Sequence, residues 1–520
     1  MKIKARVKRS AYFDSITLMK IARTLTGMPG IDEAAAIMAT EPNLQLLDEA
    51  GLAPFEGIEG KVRPADVLIV VRASDDSNAE AALQAAEEQL TRTPISSSDG
   101  TTGMQTGQRQ PRSLEQAVQL HPDARLADIS VPGMYAALEA ERALLSGLHV
   151  FLFSDNVKLE QEIAMKRLAR ERNLLLMGPD CGTAMINSVG LGFVNVVPRG
   201  PIGIVGASGT GTQQVMSLIA QHGSGVSQVI GCGGRDLSED VGATTTLQGL
   251  RLLQADEQTQ VIVLISKPPA PAVAEQVLGV AATGQKPVIV IFVGADHDAL
   301  QSRYRDRLII THTLTEAALQ AVSISNTGKP IDVGQQHAVT TGTIRTQHRL
   351  AGLFSGGTLC DEAMHIWAEH IGPIYSNIPL NPAWQLMQGQ HVQGHFAIDF
   401  GADEYTHGRP HPMIDPALRL KRLQEEASKP QVGVILLDMV LGYCSHPNPA
   451  EVYAPAIASA LEQAASEGRS LTFVISLCGT EGDPQRLSTQ AARFREAGAE
   501  VFTGNADAAW RCIELLALPR

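Results

Sequence analysis

Short apolar runs alternate with segments of helical period along most of the chain. The runs Ile202–Val205, Val261–Ile265 and Val288–Phe292 are almost entirely apolar, and each is followed within three residues by glycine or proline. Strands that are buried on both faces of a parallel sheet have this pattern. The alternation therefore predicts an α/β protein that is built from several doubly wound, mainly parallel units of the Rossmann or flavodoxin type.

Residues 1–95 carry a separate α/β pattern, which predicts a small ferredoxin-like N-terminal domain. The elements predicted there are, in chain order, the strand Lys2–Val7, the helix Phe13–Leu25, the strand Ile31–Met38, the short helix Leu44–Ala50, the strand Asp66–Val71 and the helix Asn78–Leu90. The next segment, Thr91–Arg112, is rich in Ser, Thr, Gly and Gln and has no apolar period, which predicts a linker or mobile loop.

Turn-rich segments divide the remainder into three further predicted domains, which are residues 113–200, 201–325 and 350–520. A polar, turn-rich connection, Asn326–Gln347, separates the last two. In both of these domains the first predicted strand runs into a turn that contains Ser-Gly and opens a helix, at 208–210 and at 355–358. This shared order indicates an internal duplication.

The composition excludes several classes of function. Asp and Glu number 55 against 42 Lys and Arg, so the formal net charge is −13. Nucleic-acid and anionic-membrane partners need a basic surface, and we expect neither. The start lacks an apolar signal segment and no apolar run approaches the roughly 18 residues of a membrane span, which predicts a cytoplasmic protein. The six cysteines form no CxxC pair, so neither a zinc site nor a disulfide framework is expected.

The sharpest chemical signal is the glycine-rich turn Gly206–Thr212, between a predicted strand and a predicted helix. Glycines let backbone N–H groups turn inward, and a helix start adds about half a positive charge. We expect a phosphate or carboxylate to bind at this start and at the equivalent one, through Ser208, Gly209, Thr210, Gly211, Ser355, Gly356, Gly357 and Thr358. The two starts would then converge on one dianion. The alternative is that each is only a capped helix after a bend.

Other candidates lie at further strand ends. Arg235, Lys267 and Arg409 are candidates for orienting an anionic substrate, although Lys267 is equally well explained as a solvated lysine. A further candidate is the turn after a predicted strand that consists of Gly178, Pro179, Asp180, Cys181 and Gly182. Its cysteine has no basic neighbour in sequence, so Cys181, like Cys232 and Cys360, is predicted to be a packed thiol rather than a nucleophile. No metal site is expected.

Six motifs in chain order resemble the FdrA family, namely Met177–Thr183, Gly203–Gln213, Gly231–Ser238, Ile265–Pro271, Ser355–Glu362 and Gly401–Pro416. The resemblance implies a fusion that is similar to the α subunit of succinyl-CoA synthetase followed by the C-terminal domain of its β subunit. Residues 113–200 would then be a degenerate CoA-binding-like Rossmann domain, and residues 201–325 and 350–520 would be two synthetase-like domains, the second of the CoA-ligase type. In the synthetases, the matching helix starts point at the phosphate of a phosphohistidine.

The chain departs from the synthetases in three respects. It has no GxTGxxG loop in Arg112–Ala127, it has Gly294–Asp298 (GADHD) in place of the phosphohistidine segment GHAGA, and it has no ATP-grasp domain. The FdrA resemblance also implies oxamate carbamoyltransferase activity in allantoin and purine nitrogen catabolism, together with other subunits. The expected function is therefore a carbamoyltransferase subunit that transfers a carbamoyl group between oxamate and phosphate. Such a protein would bind carbamoyl phosphate and oxamate, need no cofactor and belong to a hetero-oligomer.

Two alternatives remain open at this point. An NDP-forming acyl-CoA synthetase-like enzyme would keep CoA binding, whereas a non-catalytic scaffold subunit would only assemble its partners. The absent loop and histidine favour the carbamoyltransferase and the scaffold. The retained glycine-rich turns weigh against the scaffold.

Overall fold

The computed structural model describes residues 2–91 and 111–517, apart from 10, 12, 14, 41–42, 45–46, 49, 55–57, 59–60, 112, 306, 332–347, 387–393 and 407–408. The chain divides into two units, one formed by Met1–Gln110 with Gly408–Pro410 and the other by Pro111–His407 with His411–Arg520. Most of the predicted linker Thr91–Arg112, most of the connection Asn326–Gln347 and part of the predicted helix Leu44–Ala50 lie outside the described residues.

The N-terminal unit contains β1 (Lys2–Lys8), α1 (Ser15–Thr26), β2 (Ile31–Met38), β3 (Val67–Ala73) and α2 (Asp76–Thr91). Its sheet is antiparallel in the order β1-β3-β2, as a small α/β domain of the predicted kind requires. The central strand β3 is apolar apart from Arg72, and its apolar residues are buried on both faces. Val67, Ile69 and Val71 pack with the two helices, whereas Leu68 and Val70 belong to a second, smaller core.

The C-terminal unit begins with α3 (Leu114–Leu120), β4 (Leu126–Ile129), α4 (Gly133–Leu145), β5 (His149–Leu152), α5 (Leu159–Glu171) and β6 (Leu176–Met177). The three strands are parallel and lie in the order β4-β5-β6. This arrangement confirms the βαβαβ run that the alternation of apolar runs and helices predicts. Their carboxyl ends lead into the loops where ligands of parallel sheets bind.

A second, larger sheet follows, with β7 (Thr183–Ile186), β8 (Val189–Gly192), β9 (Arg199–Gly206), α6 (Gly209–Gln221), β10 (Val226–Gly231), α7 (Thr244–Ala255), β11 (Val261–Ser266), α8 (Pro271–Thr283), β12 (Val288–Phe292), α9 (His297–Tyr304), β13 (Ile309–Ile310) and α10 (Leu314–Thr327). The strand order is β13-β12-β11-β9-β10-β7-β8. The sequence did not predict the hairpin formed by β7 and β8, which adds an antiparallel pair beside β10.

The third sheet includes β14 (Arg349–Phe354), α11 (Gly357–Ile371), β15 (Ile374–Ser376), a 3-10 turn (Pro382–Trp384), β16 (His395–Asp399), α12 (Asp403–Thr406), α13 (Ala417–Ala427), β17 (Val432–Val440), α14 (Pro449–Ser466), β18 (Thr472–Cys478), α15 (Leu487–Glu496), β19 (Glu500–Phe502) and α16 (Asn505–Ala517). Its strands are parallel, in the order β15-β16-β14-β17-β18-β19.

The two larger sheets share one topology. The run β13-β12-β11-β9-β10 of one sheet matches β19-β18-β17-β14-β16 of the other, strand for strand. In each sheet the first of these strands along the chain, β9 or β14, lies inside the sheet and runs directly into a helix, α6 or α11. This shared order supports the predicted internal duplication.

The two halves are joined by a layer of helices between the sheets. One hydrophobic core includes side chains of α6 and α10 from the first half, side chains of α11 and α16 from the second, and residues of both sheets. Trp367 on α11 is fully buried in this core, and its indole N–H donates to the carbonyl of Ala509 on α16 at 3.0 Å. Because the helices pack on both sheets at once, the relative position of α6 and α11 is fixed by the core.

A buried carboxylate lies within this helix layer. Glu362 accepts a hydrogen bond from the amide of Leu314, the first residue of α10, and another from the side-chain amide of Asn505, the first residue of α16, each at 2.8 Å. Burial raises the pKa of Glu362 to about 7, although both donors oppose the shift. The side-chain oxygen Oδ1 of Asn505 is itself buried and has no donor among the described residues.

We expect Glu362 to make stability depend on pH. Its folded pKa of about 7 exceeds the ordinary value of 4.5, so the folded state holds the proton more tightly and the free energy of unfolding falls as pH rises from about 4.5 to about 7. Glu362→Gln should reduce this fall and raise stability at pH 8 by about 1–3 kcal/mol, because the glutamine side chain has no charge to bury. Urea unfolding followed by circular dichroism from pH 5 to pH 8 measures the effect. Glu369→Gln is the control, because Glu369 is exposed on the same helix. The prediction is contradicted if the free energy of unfolding depends on pH in Glu362→Gln as it does in the parent.

Candidate functional site

The helix starts predicted as anion sites lie where β9 and β14 end. Ser208 is the N-cap of α6 and accepts a hydrogen bond from the amide of Gly211 at 3.0 Å, as a capping serine does. At the other start, Gly356 is the N-cap of α11 and has no side chain to supply such a bond. Both helices therefore begin at the carboxyl edge of a sheet, which is where ligands of doubly wound folds bind.

The two starts are in direct contact. The hydroxyl of Ser208 donates to Thr358 Oγ1 at 2.7 Å, across the boundary between the duplicated halves. A Cβ on Gly356 would lie 2.7–2.8 Å from three side-chain atoms of Thr210, and a Cβ on Gly211 would lie 3.1 Å from Thr358 Cγ2. Glycine is thus required at 356, because any side chain there would force the helices apart. The structure brings together the two starts that the sequence predicts to converge.

A buried ion pair holds the chain before α11. Asp438, near the end of β17, accepts hydrogen bonds from the amides of Ser355 and Gly356 at 2.7 and 2.8 Å, and the Ser355 hydroxyl donates to it at 3.0 Å. Arg419 donates to the same carboxylate at 2.6 Å, and its Nε donates to the Tyr453 hydroxyl at 2.9 Å. The side chains of Arg419 and Asp438 are 2% and 0% exposed. Breaking such a pair would leave a buried charge, so this network fixes the direction in which α11 begins.

The first turns of both helices keep amides for an external acceptor. Within the part of the chain that the structure describes, the amides of Gly209, Thr210, Gly357 and Thr358 have no protein acceptor. These groups are the positive end of each helix dipole. We define the junction of α6 and α11 as Ser208–Gly211 with Ser355–Thr358, where the positive ends of two helix dipoles lie side by side.

Lys267 adds a cation to the junction. It follows β11, and its Nζ lies 3.9 Å from the position that a Cβ on Gly357 would take. Among the described residues its ammonium group makes neither an ion pair nor a hydrogen bond, although Asp361 and Asp399 lie close enough to feel its charge. The sequence proposes Lys267 for an anion-orienting role, and its position agrees with that proposal.

Of the two arginines proposed with Lys267, Arg235 is paired with another element. Arg235 donates to Glu162 at 2.8 Å and to the carbonyl of Val157 at 2.7 Å, so its guanidinium group ties the loop after β10 to α5 rather than facing the helix starts. Arg409 is exposed and belongs to the short segment that groups with the N-terminal unit. Its proposed role in anion binding stays a prediction.

The strand-end loop Gly178–Gly182 reaches the junction at one end only. A Cβ on Gly209 would lie 3.6 Å from Thr183 Oγ1 and 3.8 Å from Gly182 Cα, so the end of the loop packs beside the first turn of α6. Cys181 is buried, its Sγ contacts the carbonyl of Thr183 at 3.6 Å, and burial raises its pKa to about 12.

The other candidate thiols are also shielded. Cys232 and Cys360 are fully buried, and burial raises the pKa of both far above the usual value for a thiol. A thiol in this state is a poor nucleophile at neutral pH, which agrees with the prediction that these cysteines pack rather than react.

The segment Gly294–Asp298, which replaces the phosphohistidine loop, contacts β12 before it and α11 of the other half. The ring of His297 makes a hydrogen bond with the carbonyl of Phe292 at 3.0 Å, and burial lowers its pKa. Gly294 packs directly on the ring of His365, which leaves no room for a side chain at 294. The histidine of this segment is therefore held by its own loop, and the histidine on α11 is held against Gly294.

Sequence reasoning missed the carboxylates of the junction. Asp399 is the last residue of β16, and Asp438 lies two residues before the end of β17, in the runs HFAIDF and VILLDMV. A charge in a buried, mainly apolar run is the signal that could have found them, because such a charge must be paired. In the described residues, no group of three or more His, Cys, Asp or Glu side chains is arranged to hold a metal.

We expect Gly356→Ala to weaken the contact between the two helix starts. The added methyl group would overlap Thr210, so the helices must separate, and stability should fall by about 1–3 kcal/mol. Thermal unfolding followed by circular dichroism measures the loss. Gly279→Ala is the control, because a Cβ at this exposed position of α8 meets nothing within 4 Å and should stabilise the helix by about 0.5–1 kcal/mol. Equal melting temperatures for Gly356→Ala and the parent would show that the helices do not need this close approach.

Three family models match the chain. A CoA-ligase model matches residues 353–511, a CoA-binding domain model matches residues 199–294, and a model described as AllF, heavy metal-associated domain, matches residues 1–107. Residues 1–107 contain neither cysteine nor histidine, so the thiolate and imidazole ligands that soft metals prefer are missing from that domain. No helix among the described residues is both long enough and apolar enough to cross a membrane.

Solved structures that match the chain include the dinucleotide-forming acetyl-coenzyme A synthetase 1 of Ca. Korarchaeum cryptofilum in its apo form, with 16% identity, a TM-score of 0.34 and coverage of 76% of this chain and 82% of that one. The ATP citrate lyase of Methanothrix soehngenii in complex with citrate and coenzyme A matches 44% of each chain, with 14% identity and a TM-score of 0.35.

Two curated relatives differ in how much they share with this chain. A succinate–CoA ligase [ADP-forming] α subunit of Archaeoglobus fulgidus is 30% identical over 159 residues, which is 30% of this chain and 54% of that protein. The uncharacterized protein YahF of Escherichia coli strain K12 is 41% identical over 506 residues, which is 96% of this chain and 95% of that protein. Together with the match to the AllF model, this full-length similarity shows that the chain belongs to the FdrA family.

Proposed function

We propose that the junction of α6 and α11 binds the phosphate of an acyl-phosphate-type substrate, and that the protein takes part in acyl transfer between phosphate and an acceptor. The observation that carries the proposal is the contact between two helix starts whose first-turn amides have no acceptor among the described residues, next to the unpaired Lys267. Acyl phosphates and carbamoyl phosphate share this phosphate group.

Electrostatics favours a dianion at this position. Each helix start carries about half a positive charge and Lys267 adds one more, whereas the ionised carboxylate of Asp399 beside them has the opposite sign. The local charge therefore favours a dianion most when Asp399 is protonated. Two helix starts in contact repel each other, and an anion between them would relieve that repulsion. The net charge of −13 supplies no long-range attraction for an anion, so any affinity must come from these local groups.

For the acceptor, the candidate that the comparisons support is the thiol of coenzyme A. The CoA-binding and CoA-ligase models cover β9 with α6 and β14 with α11, which are the elements that build the junction. In this reaction the bond between acyl carbon and phosphate oxygen breaks, a bond between acyl carbon and sulfur forms, and the thiol loses its proton. The chain would then be a succinyl-CoA synthetase-like subunit that works on an acyl phosphate.

A second candidate is transfer of a carbamoyl group between oxamate and phosphate. It is favoured by the turn Gly294–Asp298, whose sequence GADHD replaces the phosphohistidine segment GHAGA of the synthetases. Carbamoyl transfer needs a phosphate site but no phosphohistidine, and the amide nitrogen of oxamate would take the place of the thiol. Membership of the FdrA family agrees with this candidate, in which we propose that other subunits complete the enzyme.

We expect Gly357→Ala to weaken the binding of inorganic phosphate. The methyl group would lie 2.7 Å from Asp399 Oδ2 and 3.9 Å from Lys267 Nζ, in front of the free amides of α11. The dissociation constant, measured by isothermal titration calorimetry, should rise at least about tenfold, or about 1.4 kcal/mol. Lys267→Met should weaken binding in the same direction.

Gly279→Ala is the control, because this exposed position of α8 lies outside the junction and a Cβ there meets nothing within 4 Å. Its phosphate affinity should differ from that of the parent by less than about threefold. Equal phosphate affinity in Gly357→Ala and the parent, with both proteins folded, would refute the proposed site.

Titration with coenzyme A, carbamoyl phosphate and oxamate in turn separates the candidates. Coenzyme A binding with no response to carbamoyl phosphate or oxamate supports the ligase-type reaction. Competition between carbamoyl phosphate and inorganic phosphate, together with oxamate binding, supports carbamoyl transfer. If the protein binds none of these three ligands and no phosphate, the non-catalytic scaffold subunit is the remaining candidate.

A further inference from the structure

A carboxylate lies inside the proposed phosphate site. Asp399 is the last residue of β16, and its Oδ2 is 2.7 Å from the position that a Cβ on Gly357 would take. Its other oxygen, Oδ1, accepts the amide of Gly401 at 2.8 Å. Within the described part of the chain, Oδ2 receives no hydrogen bond, so one oxygen anchors the side chain and the other faces the first turn of α11.

The backbone around Asp399 is held on both sides. Its amide donates to Asn377 Oδ1, and Asn377 Nδ2 donates back to its carbonyl, each at 2.9 Å. The residue is 6% exposed. A group held this firmly keeps its free oxygen aimed at the junction, which is the preorganisation that proton transfer in an active site needs.

The neighbouring carboxylates are placed differently. Both oxygens of Asp438 are taken by Arg419 and by the amides of Ser355 and Gly356. Asp361 lies four residues into α11, next to Lys267 and His365. Of the three carboxylates, Asp399 combines a free oxygen with contact to the first residue of α11.

We propose that Asp399 is the acid–base residue of the proposed transfer, exchanging a proton with the acceptor or with the departing phosphate. This inference rests on the proposed function. In the forward step the acceptor attacks the acyl or carbamoyl carbon, the bond from that carbon to the phosphate oxygen breaks, and the proton of the acceptor S–H or N–H moves to Asp399. The protonated carboxyl group then returns that proton to the phosphate or to water, so the protein is unchanged after one turnover.

The electrostatic surroundings suit a group that changes protonation near neutral pH. Burial raises the pKa of Asp399 to about 6, and the Gly401 amide and Lys267 oppose that shift. The charged groups that face it are Lys267 after β11, Asp438 near the end of β17 and Asp361 on α11, while His411 packs against the same turn at Gly401. Burial lowers the pKa of His411 to about 4, so its ring is neutral where Asp399 titrates. A dianion bound beside Asp399 would raise its pKa further and draw in a proton.

Phosphate binding to the full chain provides a test that does not need the reaction. Calorimetric titration with inorganic phosphate in two buffers of different ionisation enthalpy gives the number of protons that binding takes up. Between pH 6 and pH 8 we expect the parent to take up more protons than Asp399→Asn, by up to about one per site. The comparison cancels the proton exchange of phosphate itself. At pH 8, Asp399→Asn should bind phosphate about tenfold more tightly, because a repelling charge is gone.

Activity gives the second readout once the acceptor is known. Asp399→Asn should lower kcat by about a hundredfold or more and remove one limb of the pH–rate profile, whereas its phosphate binding persists. Asp403→Asn, on the exposed α12, is the matched control and should behave as the parent. The asparagine Oδ1 can still accept the hydrogen bond from the Gly401 amide, so we expect this variant to fold. If it does not fold, Asp399→Ser replaces it in both experiments.

The outcomes separate the two proposals. Equal proton uptake in the parent and Asp399→Asn, or turnover within a few-fold of the parent with the same pH profile, overturns the role of Asp399 and leaves the phosphate site standing. Absence of phosphate binding in the parent overturns the proposed site, and the role of Asp399 falls with it.

Discussion

Two helix starts of like polarity lie against each other at the centre of the C-terminal unit, and the candidate chemistry depends on how this contact is compensated. The absence of side chains at Gly211 and Gly356 allows the approach, and the hydroxyl pair Ser208–Thr358 joins the two turns. Asp438 neutralises the amides that precede α11. The amides of the first helical turns are left without a described acceptor, and an anionic substrate is the partner that these groups suit best.

Most of the fold was predictable because its strands are buried on both faces. Val261–Ser266 and Val288–Phe292 are apolar without interruption, and a parallel sheet requires this pattern. The hairpin of β7 and β8 was missed because its strands are short and its turn contains no glycine. Each of its strands has four residues, and the turn uses Asn187 and Ser188 in left-handed conformation, so neither apolar period nor a glycine signal marks it.

The site was predictable only where its signal is local. Glycine next to serine or threonine marks both helix starts within a few residues. A hydrogen bond behind α11 joins Ser355 to Asp438, 83 residues apart, and Arg235 finds its partner Glu162 73 residues away. Long-range pairing of this kind depends on which strands become neighbours, and the residues around each partner do not encode it. Arg235 was accordingly assigned to the anion site although the fold directs it to α5.

The residues that replace the phosphohistidine loop bear on what the substrate must be. A phosphohistidine moves a phosphoryl group between two sites, so an enzyme that has one can draw on a nucleotide bound away from the acyl group. Here Gly294–Asp298 has the sequence GADHD in place of the GHAGA segment of the synthetases. If no histidine carries a phosphoryl group, the substrate must be one in which the phosphate is already joined to the transferred carbon, or one that releases phosphate into the same site. Acyl phosphate and carbamoyl phosphate both meet this condition, so the phosphate site is common to both candidate reactions and the acceptor distinguishes them.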